Sequence, residues 1–263
     1  MPRVVALYRY PVKGFAPEEC RSLTILDEGR VAGDRVFAFR FADSAVPDSA
    51  WSRKHDCVVL MNTPGLARLA VRFDHREQRL RVGLDGTVLA DEALDEGGRR
   101  RLAQALERYV LGLSENPLAG HPQRLPLRLI GDGVTPRFQD NVDGHTTLHG
   151  RGSLAAVADA VREPAFSEAR FRSNIVVGGL EAWEELGWTG RRLQVGEVEF
   201  EVVKRKVRCL ATHANPQTGE RDMPVMTTLM RAFGQEEPTF AIGMTTRGPA
   251  CVVRIGDTVK LVG

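Results

Sequence analysis

Hydrophobic and polar residues alternate over short stretches along most of the chain, and the spacing becomes helical in only a few places. Val4 to Tyr10, Ser22 to Leu26 and Arg35 to Phe41 mix β-branched and aromatic residues with polar ones and end near Pro, Gly or Asp, which predicts short strands. The run LRVGLDGTVLAD alternates on both sides of Asp85-Gly86. That pattern predicts a two-residue hairpin turn, because glycine tolerates the positive φ such turns require. Over Gly98 to Leu111 the period lengthens, and Leu102, Ala105, Leu106, Tyr109 and Val110 fall on one helical face. A proline-rich loop between Asn116 and Pro126 follows, and the expected division is into modules 1–115 and 116–263.

Beyond that loop, Ser153 is placed to cap a helix reaching Val161, since its hydroxyl can accept from first-turn amides. Asn174 to Val177, Arg192 to Arg208 and Cys251 to Val262 read as strands, the last turning at Gly256-Asp257. Met226 to Phe233 reads as helical. The expected fold is mainly β with a few helices, arranged as two barrel-like modules.

Composition narrows the function. At 263 residues and 43% hydrophobic the chain can bury a core, which excludes disorder and a mini-protein scaffold. Its 36 basic and 34 acidic residues leave +2, so no global attraction to nucleic acid or to an anionic membrane is expected, and an anion site must be local. The basic residues are 31 arginines and five lysines, a bias attributed to codon usage more readily than to phosphate recognition. The longest runs without a charged residue are 11 positions (57–67 and 209–219), short of the roughly 20 that a membrane span needs. The opening MPRVVALYRYPVKG lacks the features of a secretory signal, so a cytoplasmic location is expected.

The chemical signals are few. P-loop, GxGxxG, GxSxG and HExxH motifs are absent. His145 and His149 have i, i+4 spacing, but NVDGHTTLHG is bracketed by glycines and rich in threonine, so a loop or strand with ordinary polar histidines is expected rather than zinc. Cys20, Cys57, Cys209 and Cys251 form no CxxC pair, which argues against an iron–sulfur cluster. Cys209 differs from the others: the cation-dense strand Lys204 to Arg208 runs into it, and a turn with Asn215-Pro216 and Gly219 follows. Nearby cations favour a thiolate, the form that acts as nucleophile or soft-metal ligand, although neighbouring strand residues point to opposite faces. Lys13, Arg35 and Arg172 each lie at a turn or strand start; alone each reads as a solvated surface cation, and converging they could hold a phosphate.

These residues carry a resemblance. YRYPVKG followed by GDRVFAF is similar to the N-terminal β-barrel module that precedes MOSC domains, named for the C-terminal domain of molybdenum cofactor sulfurases. RFRSNIVVGGLEAWEE, VRCLATHANPQTGE and VRIGDTVKL resemble the MOSC domain itself, with its RxNI, Arg-Cys, DPxTG-like and closing VGD segments. The resemblance covers nearly the whole chain. It implies a bound molybdenum cofactor, whose pterin dithiolene chelates the metal and whose phosphate anchors the organic part. By similarity to the amidoxime-reducing components, Cys209 is implied as the protein ligand to molybdenum. Lys13, Arg35 and Arg172 are implied to hold the phosphate, with Gly14, Ser153 and Asn174 as further cofactor-binding positions, and Val207 and Arg208 to flank Cys209. A soft thiolate suits a thiophilic metal, and a phosphate monoester suits fixed cations.

Three departures from the family pattern stand out. Gly14 replaces the serine that often follows the lysine and offers only its backbone amide. Asn215 replaces the aspartate of the turn, and both side chains cap their own backbone. In TFAIGMTTRG, Gly243 stands where an aromatic residue is common and opens the substrate side of the pocket.

The implied function is a molybdenum-dependent reductase of N-hydroxylated or N-oxide small molecules, acting by oxygen-atom transfer and drawing electrons from an external reductase or ferredoxin. The alternative is a non-redox carrier of molybdenum cofactor or sulfane sulfur on Cys209. A pyridoxal-phosphate desulfurase domain does not fit in this length, so pyridoxal phosphate is not expected on this chain.

Overall fold

The computed structural model describes residues 1–246 and 248–262, so Arg247 of the TFAIGMTTRG segment and the terminal Gly263 lie outside the described residues. The first half supplies β1 (Arg3–Arg9), β2 (Glu18–Cys20), β3 (Ser22–Ile25), β4 (Ala38–Arg40), β5 (Leu69–Asp74), β6 (Arg79–Leu84), β7 (Thr87–Ala93), α1 (Glu96–Leu111) and β8 (Arg128–Ile130). In β5 the alternation is carried through, with Leu69, Val71 and Phe73 buried and the residues between them exposed. The hairpin between β6 and β7 turns at Asp85 (φ 50°) and Gly86 (φ 81°), as the alternation around it predicts. Helix α1 starts at Glu96, two residues before the expected Gly98, because Asp95 caps it, its carboxylate accepting from the Gly98 amide at 2.7 Å. The segment Arg35 to Phe41 gives a shorter strand than its composition predicts, since Arg35 adopts φ 51° and only Ala38–Arg40 pair with β8.

The second half adds β9 (Thr146–Gly150), α2 (Arg151–Val161), β10 (Ile175–Gly178), β11 (Arg192–Val195), β12 (Val198–Val207), α3 (Val225–Phe233), β13 (Thr239–Thr245), β14 (Cys251–Arg254) and β15 (Val259–Val262). Eight strands form one mixed sheet in the order β15-β11-β12-β13-β9-β10-β1-β2. Its parallel pair, β9 and β10, is joined through α2, while its other pairs are antiparallel. A register shift between Val4 and Ala6 lets β1 bury both Val4 and Leu7. An isolated bridge from Arg3 to Thr258 brings the β15 end of the sheet back to β1. The chain does turn at Gly256 and Asp257, but no hairpin results: β14 pairs with β3 and β15 with β11. Helix α2 begins at Arg151 with Gly150 as its N-cap, so Ser153 lies inside the helix and does not cap it.

Two large cores result. One is built from Phe15, Phe37, Phe39, Phe41, Leu80, Leu102 and their neighbours between residues 12 and 129, with Ala214 added. The other joins Val4, Leu7, Leu23, Ile25 and Val31 to residues 148–259, so β1 completes the sheet of the C-terminal segment. No helix among the described residues is long and apolar enough to cross a membrane.

Candidate active site

Strand β12 sets the site's back wall. Its inward positions are the apolar Val198, Phe200 and Val202 and then the half-buried Lys204 and Lys206, so one strand face passes from core into a cavity. That cavity, about 350 Å³, is lined by Lys13, Gly14, Arg35, Arg172, Val207, Arg208 and Cys209, residues up to 196 positions apart in sequence. Lys54, Asp140, Arg170, Lys204 and Lys206 line it as well.

Lys13 reaches the cavity floor because Val12 bridges Phe37 and the Lys13 amide donates to the Phe37 carbonyl at 2.8 Å. Its side chain is 3% exposed; Nζ donates to the carbonyls of Phe138 (2.9 Å) and Gln139 (3.1 Å) and lies 3.7 Å from Asp140. Burial pushes the Lys13 ammonium down from its ordinary value, against the pull of Asp140. Asp140 also lies 3.4 Å from Lys54 Nζ, and Lys54 Nζ donates to Cys209 Sγ at 3.5 Å. Desolvation alone would raise the Asp140 carboxyl, but Lys13, Lys54, Arg35 and Arg172 outweigh it and hold the group well below the usual carboxylate range.

Arg35 and Arg172 both sit in the left-handed backbone region (φ 51° and 56°), a conformation non-glycine residues seldom adopt. It brings both guanidiniums over the Tyr10 ring, at 4.5 and 4.4 Å from its centroid. Asp34 anchors this corner, accepting from Arg35 Nη1 (2.5 Å), the Tyr10 amide (2.8 Å) and Asn174 Nδ2 (3.2 Å). Arg172 and Arg208, by contrast, donate among the described residues only to carbonyls, of Phe15 and Phe171 respectively, and Arg208 Nε is buried without a partner there. Burial first, and then Arg35, lowers Arg172 to about 10. Two half-buried guanidiniums that face a cavity and have no carboxylate partner among the described residues make a site that favours an anion.

Not every residue implied by the resemblance reaches the cavity. Asn174 is fully buried behind it: Oδ1 accepts from the Thr147 amide and hydroxyl (3.2 and 3.0 Å), while Nδ2 donates to Tyr8 O and Asp34. It therefore positions Asp34 and, through it, Arg35. Ser153 lies elsewhere, its hydroxyl donating to Glu185 Oε2 (2.9 Å) and accepting from the Trp183 amide (2.8 Å). Gly14 lines the cavity at φ 85°, and a Cβ there would lie 2.7 Å from Val59 Cα, so the serine of the family pattern does not fit this backbone.

The turn after Cys209 is held from within. Asn215 Oδ1 accepts from the amides of Gln217 (2.7 Å) and Thr218 (3.3 Å), as its sequence context predicts. Asn215 Nδ2 donates to Asp222 at 2.6 Å, and Arg170 ties Asp222 (2.8 Å) to the carbonyl of His213 (3.1 Å). His149 lies on β9 and His145 just before it, so their spacing is that of a strand and not of a helical metal pair. No group of three or more potential metal-binding His, Cys, Asp or Glu side chains occurs among the described residues. Cys20, Cys57 and Cys251 are free thiols outside the cavity, and burial pushes Cys57 up to about 11.

Comparison with known proteins gives one family: residues 136–260 match the MOSC domain. Proteins called molybdenum cofactor sulfurase are similar over part of the chain. The one from Caenorhabditis briggsae is 41% identical over 93 residues, 35% of this chain and 13% of that protein; the one from Caenorhabditis elegans is 41% identical over 73 residues, 28% and 10%. The chain thus matches only about a tenth of the length of these relatives. Among solved structures, the YuaD protein from Bacillus subtilis aligns over 98% of this chain and 94% of its own at a TM-score of 0.44 and 12% identity. YiiM from Geobacillus stearothermophilus aligns over 45% and 54% at 0.35 and 15%.

Proposed function

Residues 136–260 of this chain are a MOSC domain, and from that premise we propose that the protein binds a molybdenum cofactor through Cys209 and reduces N-hydroxylated or N-oxide small molecules. The observation that carries this reading is one cavity lined by Cys209 and by Lys13, Arg35, Arg172 and Arg208, of which Arg172 and Arg208 have no carboxylate partner among the described residues. The donor set fits the group: a thiol for a thiophilic metal, and fixed cations for a phosphate monoester. When bound, the cofactor would supply two-electron oxygen-atom transfer, with electrons from an external donor.

The chain's own residues do the rest. Lys13, Arg35 and Arg172 hold the phosphate, and Gly14 brings bare backbone to the same wall. Asp34 and Asn174 keep Arg35 aimed. Lys54 donates to the Cys209 sulfur and shares Asp140 with Lys13, which keeps both ammoniums facing the cavity. Turnover of amidoximes, hydroxylamines and N-oxides by protein purified from a cofactor-making host, with a chemical or enzymatic reductant, tests the reading. Absence of turnover by molybdenum-loaded protein would overturn it.

The names of the curated relatives favour a second reading, in which Cys209 carries molybdenum cofactor or sulfane sulfur to another enzyme. It calls for a persulfide on Cys209, seen by mass spectrometry in protein that holds no molybdenum.

A further inference from the structure

The chain contains 31 arginines and five lysines, yet four of the five, Lys13, Lys54, Lys204 and Lys206, line the one cavity. Lys13 and Lys54 share Asp140. The ammoniums of Lys204 and Lys206, on β12, take part in no ion pair or hydrogen bond among the described residues. Beside them stands His145, 8% exposed, with its Nδ1 buried and unpartnered. Gly243 makes this arrangement possible. It pairs with Lys204 on one side and Thr147 on the other, and a Cβ there would lie 3.1 Å from Lys206 Cδ and 3.3 Å from the His145 ring. The bare position lets the Lys206 stem and the imidazole lie over the sheet toward the cavity. An aromatic side chain at 243 would fill that space.

We propose that Lys204, Lys206 and His145, gathered over Gly243, form an anion-recognising subsite that selects substrates bearing a carboxylate or phosphate away from the reacting group. The identity of the reacting group rests on the reading above; the subsite does not. Its electrostatics agree with the geometry. Burial first, then Arg208 and Lys204, lowers Lys206 to about 8 against the pull of Asp140. Burial first, then Lys206 and Lys204, lowers His145 to about 4, with Arg30 adding to the fall and Asp143 opposing it. A ligand anion relieves the part of both shifts that comes from the neighbouring cations. Lysine suits the task, since each ammonium is a compact point charge that can follow ligands of different shape, where a guanidinium imposes a planar fork.

The test is calorimetric titration of benzoate and of inorganic phosphate into the full chain. Benzoate is expected to bind the wild type and to lose about tenfold or more in affinity in both Lys206→Met and Gly243→Phe. Lys260→Met, at an exposed lysine outside the cavity, is expected to leave the binding of both ligands unchanged. Failure of the wild type to bind benzoate, equal benzoate affinity in Lys206→Met, or loss of benzoate binding in Lys260→Met would each overturn the subsite. None of these readouts needs molybdenum, so a chain that binds benzoate but never retains the metal keeps the subsite and loses the reductase reading.

Discussion

Lys54 Nζ stands 3.5 Å from Cys209 Sγ and 3.4 Å from Asp140 Oδ2, so a single ammonium joins the proposed metal ligand to the acid beside the cations proposed to hold phosphate. Lys54→Met removes that link and leaves Asp140 with Lys13 as its remaining close ion-pair partner. The cavity then holds one cation fewer, and inorganic phosphate affinity, read by calorimetry, is expected to fall about tenfold. Lys54→Arg restores the charge and is expected to recover part of the loss.

Gly14→Ser would install the family's hydroxyl on a backbone that does not admit it. At φ 85°, with Val59 Cα 2.7 Å from the new Cβ, the substitution is expected to destabilise the fold by about 1–3 kcal/mol. Denaturant unfolding measures the change, and the same chain is expected to show no gain in phosphate affinity.

Asn215→Asp replaces the amide that donates to Asp222 with a second carboxylate 2.6 Å away. Repulsion is present while both are ionised, so the loss of stability, about 1 kcal/mol, is expected near neutral pH and should shrink on acidification as the pair takes up a shared proton, which the like charge favours. Unfolding curves at neutral and acid pH compare the two conditions.

His149 is fully buried among Phe171 and Phe240; neither ring nitrogen has a hydrogen-bond partner, Nε2 lies 3.9 Å from Glu168 Oε2, and burial, then Arg208 and Arg151, lowers the ring to about 3. The unfolded chain takes up this proton near pH 6.5 and the folded chain only near 3, so stability is complete above 6.5 and falls as the pH drops between them. A loss of up to about 3 kcal/mol by pH 4 follows from the linkage. His149→Leu, which keeps the ring's apolar contacts in part, is expected to flatten that acid slope in thermal unfolding followed against pH.

Much of this was legible in the sequence, and what was not has physical causes. The hairpin at Asp85-Gly86 and the stripe of α1 are local patterns, so they could be read directly. Lys13, Arg35, Arg172 and Cys209 could be singled out one by one, but their meeting depends on strands paired across more than 160 residues. Ser153 misleads because a hydroxyl near a helix start serves equally well as a cap or as a donor to a distant carboxylate, here Glu185. Lys54, Asp140 and Arg170 belong to no motif. For Lys54 a faint signal existed: where arginine dominates so heavily, a lysine marks a place where a compact ammonium is wanted, and four of five point to one cavity.

The central claim is that Cys209 holds molybdenum, and its most direct test is metal analysis of wild type beside Cys209→Ser, both purified from a host that makes the cofactor. About one molybdenum per chain in the wild type and little in the mutant is expected, because an alkoxide-poor hydroxyl is a weak substitute for a soft thiolate. Equal molybdenum in both proteins, or none in either, would contradict the claim.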